Sequence, residues 1–356
     1  MLRYVVEKNK ITNNIRMLEQ RVQGRRIYAV LKADGYGMGC QRMASVCSEN
    51  QLTYFAVTTP EDAEAVMAAG VPVKELLLLS SAAPEDIPRL VELGVTFTVA
   101  SEADAQALSP YHARVHIKVD TGMGRRGIYF NRASDIADLY TRYPNLQFVG
   151  IYTHFADALN RKRTQRQFSR FQSVLQYLQD RQIDVGIRHC CSSSTVFLYE
   201  DMLLDAVRVG SALLGRVIDH QHYGIQRTGV CYVPIESVRT LQKGATVSYG
   251  SAYQAKKEMQ VAVCAVGTHH GFGLSVLCGK QKLWTELIDV LRYIYRRING
   301  KGLPFGTVHG KRCAVLGCVC SEMVVLDVSG VPCKAGELAQ FDINPMLLSD
   351  VVVEFV

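Results

Sequence analysis

No apolar run in the 356 residues approaches the ~20 needed to cross a bilayer, and the opening MLRYVVEKNK has no long apolar core of the kind that marks a signal peptide. The chain is therefore read as cytoplasmic, with no membrane partner. Nor does one sign of charge dominate. The formal net charge is +7, and the basic residues are scattered apart from RKRTQR at Arg161 to Arg166. That run reads as the solvated start of a helix, so no nucleic-acid partner is expected. The eleven cysteines form no zinc pattern; their closest spacings are the neighbours Cys190 and Cys191, and Cys318 with Cys320. Reduced thiols packed as small apolar residues are the default in that setting, and no metal is expected.

What is present is enough apolar material, 48% of the chain, for a barrel of about 250 residues and a second unit. A helical stripe at Ile11, Ile15, Leu18 and Val22 leads into a strand at Tyr28 to Leu31. Seven more candidate strands follow, at 54–58, 76–79, 96–99, 115–119, 148–152, 187–189 and 206–209. Helical stretches such as 61–69, 85–93 and 161–180 separate them. Strands alternating with helices imply parallel βα units, and eight of them imply a closed (β/α)8 barrel. After about residue 220 short strands at 230–239, 259–266, 311–316 and 323–328 read as a mostly β domain. The expected division is thus 1–220 and 221–356. A helix is expected near 283–298, with Trp284, Leu287, Leu291, Ile294 and Ile298 on one stripe.

The stretch IYAVLKADGYGMGC, Ile27 to Cys40, carries the first chemical signal. A buried-type strand runs into Lys32, and Gly35, Gly37 and Gly39 predict a tight, permissive loop around Tyr36. Two readings are open on these residues alone. Lys32 is either a solvated lysine before a turn or an amine whose pKa is lowered by burial for reaction with an aldehyde. Further polar residues stand at expected strand ends, where a barrel places its chemistry: Arg125, His154, Ser192 and Ser193, with Arg208 inside the last strand.

These segments together resemble the alanine racemase family, whose members use pyridoxal phosphate (PLP). KADGYGMG is similar to the family's lysine motif, which implies that Lys32 forms the Schiff base with PLP and that Tyr36 contacts its phosphate. KVDTGMGRRG resembles the signature whose arginine, here Arg125, orients the substrate carboxylate. Its lysine, Lys118, is carbamylated in several members; an ordinary inward lysine is the other reading. GIYTHFADA and DAVRVGSALLG imply that His154 stacks beside the pyridine ring and hydrogen-bonds Arg208 at the pyridine nitrogen. Ser193, Gly210 and Ser211 would complete a phosphate cradle.

ATVSYGSAY extends the resemblance to the second domain, where residues 1–8 would be expected to join the sheet. There the chain departs from the pattern. Thr268, in VGTHHG, stands where the family has its second catalytic base, a tyrosine presented to the barrel of a partner subunit in a head-to-tail homodimer. A threonine hydroxyl is too weak a base for that task. His269 or His270 could stand in, or the pair is a solvated turn. Ser321 falls near the expected substrate carboxylate, and Phe355 has no hydroxyl for a phosphate. The resemblance implies a PLP-dependent racemase of a small amino acid, alanine or serine. The alternatives are a one-base PLP lyase and a PLP-holding relative without turnover.

Overall fold

A computed structural model describes residues 2–218, 221–274 and 302–356, with a few further positions between 287 and 295. The helix expected near 283–298 lies largely outside the described residues. The chain forms two compact units: one is Lys8–Thr228, and the other joins the residues up to Glu7 with Gly229–Val356.

The first unit is a barrel of eight parallel strands: Arg26–Val30, Tyr54–Val57, Glu75–Leu78, Phe97–Val99, Arg114–Asp120, Gln147–Tyr152, Ile187–Ser192 and Ala206–Val209. Each lies beside its neighbour in sequence, and the last pairs with the first, Val207 opposite Ile27. The short Leu77–Thr96 bridge joins the third and fourth strands and closes the ring. Runs such as Leu76-Leu77-Leu78 are buried throughout, as strands covered by helices on one face and a packed interior on the other must be. Each such side chain contributes roughly 1.5–3 kcal/mol. The helix Lys8–Val22 buries the stripe read from sequence, Ile11, Ile15, Leu18 and Val22.

The barrel unit continues past the boundary expected at residue 220. Asn14, fully buried, explains this: its Nδ2 donates to Leu213 O at 3.0 Å and Gln226 O at 2.8 Å, while Oδ1 accepts from Gln226 N at 2.7 Å. These bonds tie the returning segment to the first helix.

In the second unit Arg3–Val6 pairs antiparallel with the long strand Gly229–Leu241 and parallel with Val352–Phe355. The strands Met259–Cys264, Phe305–Val308, Lys311–Leu316, Val324–Asp327 and Leu338–Phe341 complete a sheet that is antiparallel apart from that one parallel pairing. Met259–Cys264 also pairs with Gly229–Leu241, so this sheet closes on itself.

Candidate active site

The expected glycine loop after the first barrel strand is a left-handed helical turn. Ala33, Asp34, Gly35 and Tyr36 have φ of 52°, 50°, 62° and 61°. Glycine adopts this region freely; the other three do so at a cost. Buried Asp62 holds the turn in place, its Oδ1 accepting from Asp34 N at 3.0 Å and from the Cys40 thiol at 3.3 Å. Asp34 in turn accepts from Cys40 N at 2.8 Å and, through its carbonyl, from Gly39 N at 2.9 Å. Lys32 is thereby aimed at the barrel mouth while Tyr36 is folded inward, 7% exposed.

A second carboxylate builds the loop after the strand Arg114–Asp120. Asp120 accepts from the N–H groups of Gly122 and Met123, each at 2.9 Å, and of Gly124 at 3.1 Å. A Cβ on Gly127 would lie 2.8 Å from Asp120 N, so this turn demands glycine. Between these fixed points Arg125 stands exposed at the mouth.

Lys32, Tyr36, Lys118, Arg125, His154 and Arg208 line one cavity of about 670 Å³ at the C-terminal ends of the strands, together with Ser193, Gly210 and Ser211. Among the described residues that line it, five are cationic, counting Arg126, and none is acidic. Such a cavity favours an anion. Partial burial, and secondarily the charge of Arg125, lowers the Lys32 pKa. Burial brings Lys118 down to about 8, helped by Arg125 and Arg208.

Arg208 is buried at 4% exposure, and both of its terminal nitrogens donate to protein acceptors. Nη2 donates to Thr153 O at 2.7 Å and to His154 Nδ1 at 3.3 Å; Nη1 donates to His189 Nδ1 at 2.5 Å. Burial lowers the guanidinium's pKa, but the group remains charged at neutral pH. Burial, then Arg208, Arg125, Lys118 and Lys32, depress His154 to about 3. His154 is thus a neutral acceptor.

Just past the end of the strand that carries Arg208, Ser193 Oγ accepts from Gly210 N at 3.1 Å and Ala212 N at 3.2 Å. The Ser211 N–H reaches the Tyr36 phenol. A Cβ on Gly210 would fall 2.0 Å from Tyr36 Oη, so the ring closes over bare backbone. A hydroxyl, a phenol and successive backbone N–H groups suit a phosphate, and the nearby amine suits an aldehyde.

Thr268, His269 and Ser321 belong to the second unit, where two strand ends bring them together. Thr268 N donates to Cys320 O and His269 N to Ser321 O, each at 2.9 Å. Here the two histidines part. His270 Nδ1 accepts from Gly267 N at 3.2 Å, closing the turn, whereas His269 Nε2 lies 2.6 Å from Asp350 Oδ2. Asp350 is absent from the sequence reading, as are His116, His189 and Glu75 below the barrel cavity. For His116 a signal existed: it stands two residues before Lys118 on the same strand and so shares its inward face.

A family model described as the alanine racemase N-terminal domain matches residues 6–217, and one for the alanine racemase C-terminal domain matches 231–288. Among curated relatives, the alanine racemase of Deinococcus radiodurans is 31% identical over 338 residues, 93% of this chain and 86% of that protein. The alanine racemase of Methanococcus maripaludis is 28% identical over 340 residues, 92% and 84% of the two chains. The solved alanine racemase from Streptomyces lavendulae superposes with a TM-score of 0.85 at 20% identity, covering 100% of this chain and 97% of that one. The biosynthetic alanine racemase of Pseudomonas aeruginosa gives 0.83 at 19%, covering 100% and 99%. Among the described residues no helix is long and apolar enough to cross a membrane, and no group of three or more His, Cys, Asp or Glu side chains could hold a metal ion.

Proposed function

The chain belongs to the alanine racemase family, and from that premise we propose that it inverts a small amino acid, alanine or serine, with PLP held in the barrel cavity. The observation that carries this reading is the convergence of Lys32, Arg208 and the Tyr36–Ser193 cradle on one cationic cavity. When bound, PLP supplies an aldehyde carbon and an electron-withdrawing ring that acidifies the substrate α-carbon.

The protein's part is then to hold charges and move protons. Tyr36, Ser193 and the backbone at Gly210 and Ser211 would hold the phosphate. Lys32 Nζ would hold the aldehyde and could take or return the α-proton on one face; its lowered pKa favours the free amine that this needs. Arg125 binds the substrate carboxylate. Arg208 would lie toward the pyridine nitrogen as a fixed cation that donates and does not accept, which would leave that nitrogen without a proton and keep the electron withdrawal it supplies mild. That restraint favours return of the proton over transamination.

Inversion needs a second proton-transfer group, and Thr268 cannot supply it. We read Thr268 as standing where relatives carry a phenol, and His269 as the replacement. Because Nε2 faces Asp350 Oδ2 at 2.6 Å, the neutral tautomer carries its proton there and leaves the Nδ1 lone pair free. His270 is committed to the Gly267 N–H. His269 would serve the barrel of a second copy in a head-to-tail homodimer, with Ser321 nearby adding polarity for a hydroxylated substrate.

The test is α-deuterium exchange of the L and D forms of alanine and serine in D2O with the PLP-loaded protein. Exchange with inversion from both hands supports the reading. Exchange of one hand without inversion would establish a one-base enzyme, and no exchange with PLP retained would leave a binding protein.

A further inference from the structure

Beneath the cavity the barrel interior departs from the branched apolar filling usual for this fold. His189 and His116 are both fully buried, Glu75 is 6% exposed, and none of the three lines the cavity. They form one continuous path. His189 Nε2 lies 2.8 Å from His116 Nδ1, and His116 Nε2 lies 2.9 Å from Glu75 Oε1. That last contact is close but falls short of hydrogen-bond geometry, and among the described residues neither atom has a hydrogen-bond partner. At the bottom Glu75 Oε2 accepts from Arg26 Nη1 at 3.2 Å. The His189 ring is clamped between Tyr28 and Tyr152, with centroids 5.4 and 4.8 Å away.

Proton positions along this path follow from its upper end. Arginine can only donate. His189 Nδ1 must therefore accept from Arg208, which puts the His189 proton on Nε2. His116 Nδ1 must accept that proton's hydrogen bond, which puts its own proton on Nε2, facing the Glu75 carboxylate. One assignment satisfies every contact. Burial lowers the pKa of both imidazoles, so both are neutral. Reversing either tautomer would set donor against donor at Arg208 or leave Glu75 facing a lone pair, each costly in a dry interior.

We infer that Glu75, His116 and His189 are positioning residues that act through Arg208, holding its guanidinium in place at the cofactor site by a chain of contacts that ends on a carboxylate at the far end of the barrel. The inference rests on the reading of Arg208 as facing the pyridine nitrogen, but its first readout does not. Replacing Glu75 by leucine removes the carboxylate that His116 Nε2 faces and so loosens the lower end of the path. Glutamine keeps an acceptor oxygen without the charge.

The experiment uses the full-length protein with nitrogen-15-labelled histidine. NMR of the cofactor-free protein should show His116 and His189 as neutral imidazoles protonated at Nε2, unchanged across neutral pH. Glu75→Leu should disturb both signals, and Glu75→Gln should restore them. With PLP bound, transamination per inversion should rise roughly 3- to 30-fold in Glu75→Leu and return to the wild-type ratio in Glu75→Gln. A cationic His189, or one protonated at Nδ1, in the wild-type protein would overturn the inference without a variant. So would a Glu75→Leu protein with both signals and the partition ratio unchanged. Intact tautomers in a protein that never inverts an amino acid would instead count against the proposed function.

Discussion

Arg208 Nη2 stands 3.3 Å from His154 Nδ1 and obliges the imidazole to accept. A protonated His154 would bring a cation against a cation. Its pKa of about 3 in the folded chain lies below the unfolded value of 6.5. The unfolded state therefore binds more protons between those limits, so the stabilising contribution is complete above about pH 6.5 and is lost as pH falls toward 3. Denaturant midpoints should decline through this window, and His154→Gln should flatten the decline. An unchanged slope in the variant would assign the acid sensitivity elsewhere.

Arg125 lowers the Lys32 pKa across the barrel mouth, after the larger effect of burial. Removing its charge in Arg125→Gln should raise the pH at which Lys32 becomes a free amine. Titrating PLP uptake by absorbance should show the midpoint moving upward, while Lys32→Ala should lose the covalent absorbance band altogether. A midpoint that stays or moves down would separate the two residues.

His269 and Asp350 give the sharpest test of the catalytic reading. Loss of a general base costs about 10²- to 10⁴-fold in rate. His269→Asn should lose inversion on that scale yet retain the PLP absorbance and exchange of one enantiomer. Asp350→Asn should lose less, because the imidazole persists and only its orientation is freed. Full activity in His269→Asn would remove it from the mechanism.

Lys118 titrates near 8 because it is buried among arginines. A substantial fraction is then free amine at mildly alkaline pH and open to attack on carbon dioxide, forming a carbamate and releasing a proton. The new carboxylate would sit beside the cations that now depress the amine. Carbon-13-labelled bicarbonate should give a carbamate signal that is absent from Lys118→Gln. No signal in the wild-type protein would leave Lys118 an ordinary buried amine.

Gly210→Ala should weaken PLP binding, since the added methyl would meet Tyr36 Oη at 2.0 Å. Loss of one hydrogen bond to a charged group costs about 1.5–3 kcal/mol, or roughly 10- to 150-fold in affinity. Tyr36→Phe should fall at the lower end of that range, because it removes the hydroxyl without displacing the backbone. Equal affinities by equilibrium dialysis would mean that the phosphate is held elsewhere.

The barrel was legible because alternation and strand-end chemistry are local. Tyr28 to Leu31 runs straight into Lys32, and Val115 to Val119 straight into the Asp120 loop. In the second unit Phe305–Val308, Leu338–Phe341 and Val352–Phe355 escaped notice. They are four-residue strands too short to establish a period, and their pairing partners lie elsewhere in the sheet. The left-handed turn was hidden for a different reason. Its glycines announce a bend, but nothing in alanine or tyrosine announces positive φ; burial of Tyr36 and the reach of Asp62 impose it. Asp350 lies 81 residues from His269 in sequence, and only folding makes them neighbours.

Ala33, Asp34 and Tyr36 also define a stereochemical opportunity. An L residue pays roughly 1–2 kcal/mol to occupy left-handed helical space, whereas its mirror image prefers it. A semisynthetic chain carrying D-alanine at position 33 would therefore relax the backbone beside Lys32. In this barrel, inverted chirality at that one site would strengthen the scaffold instead of breaking it.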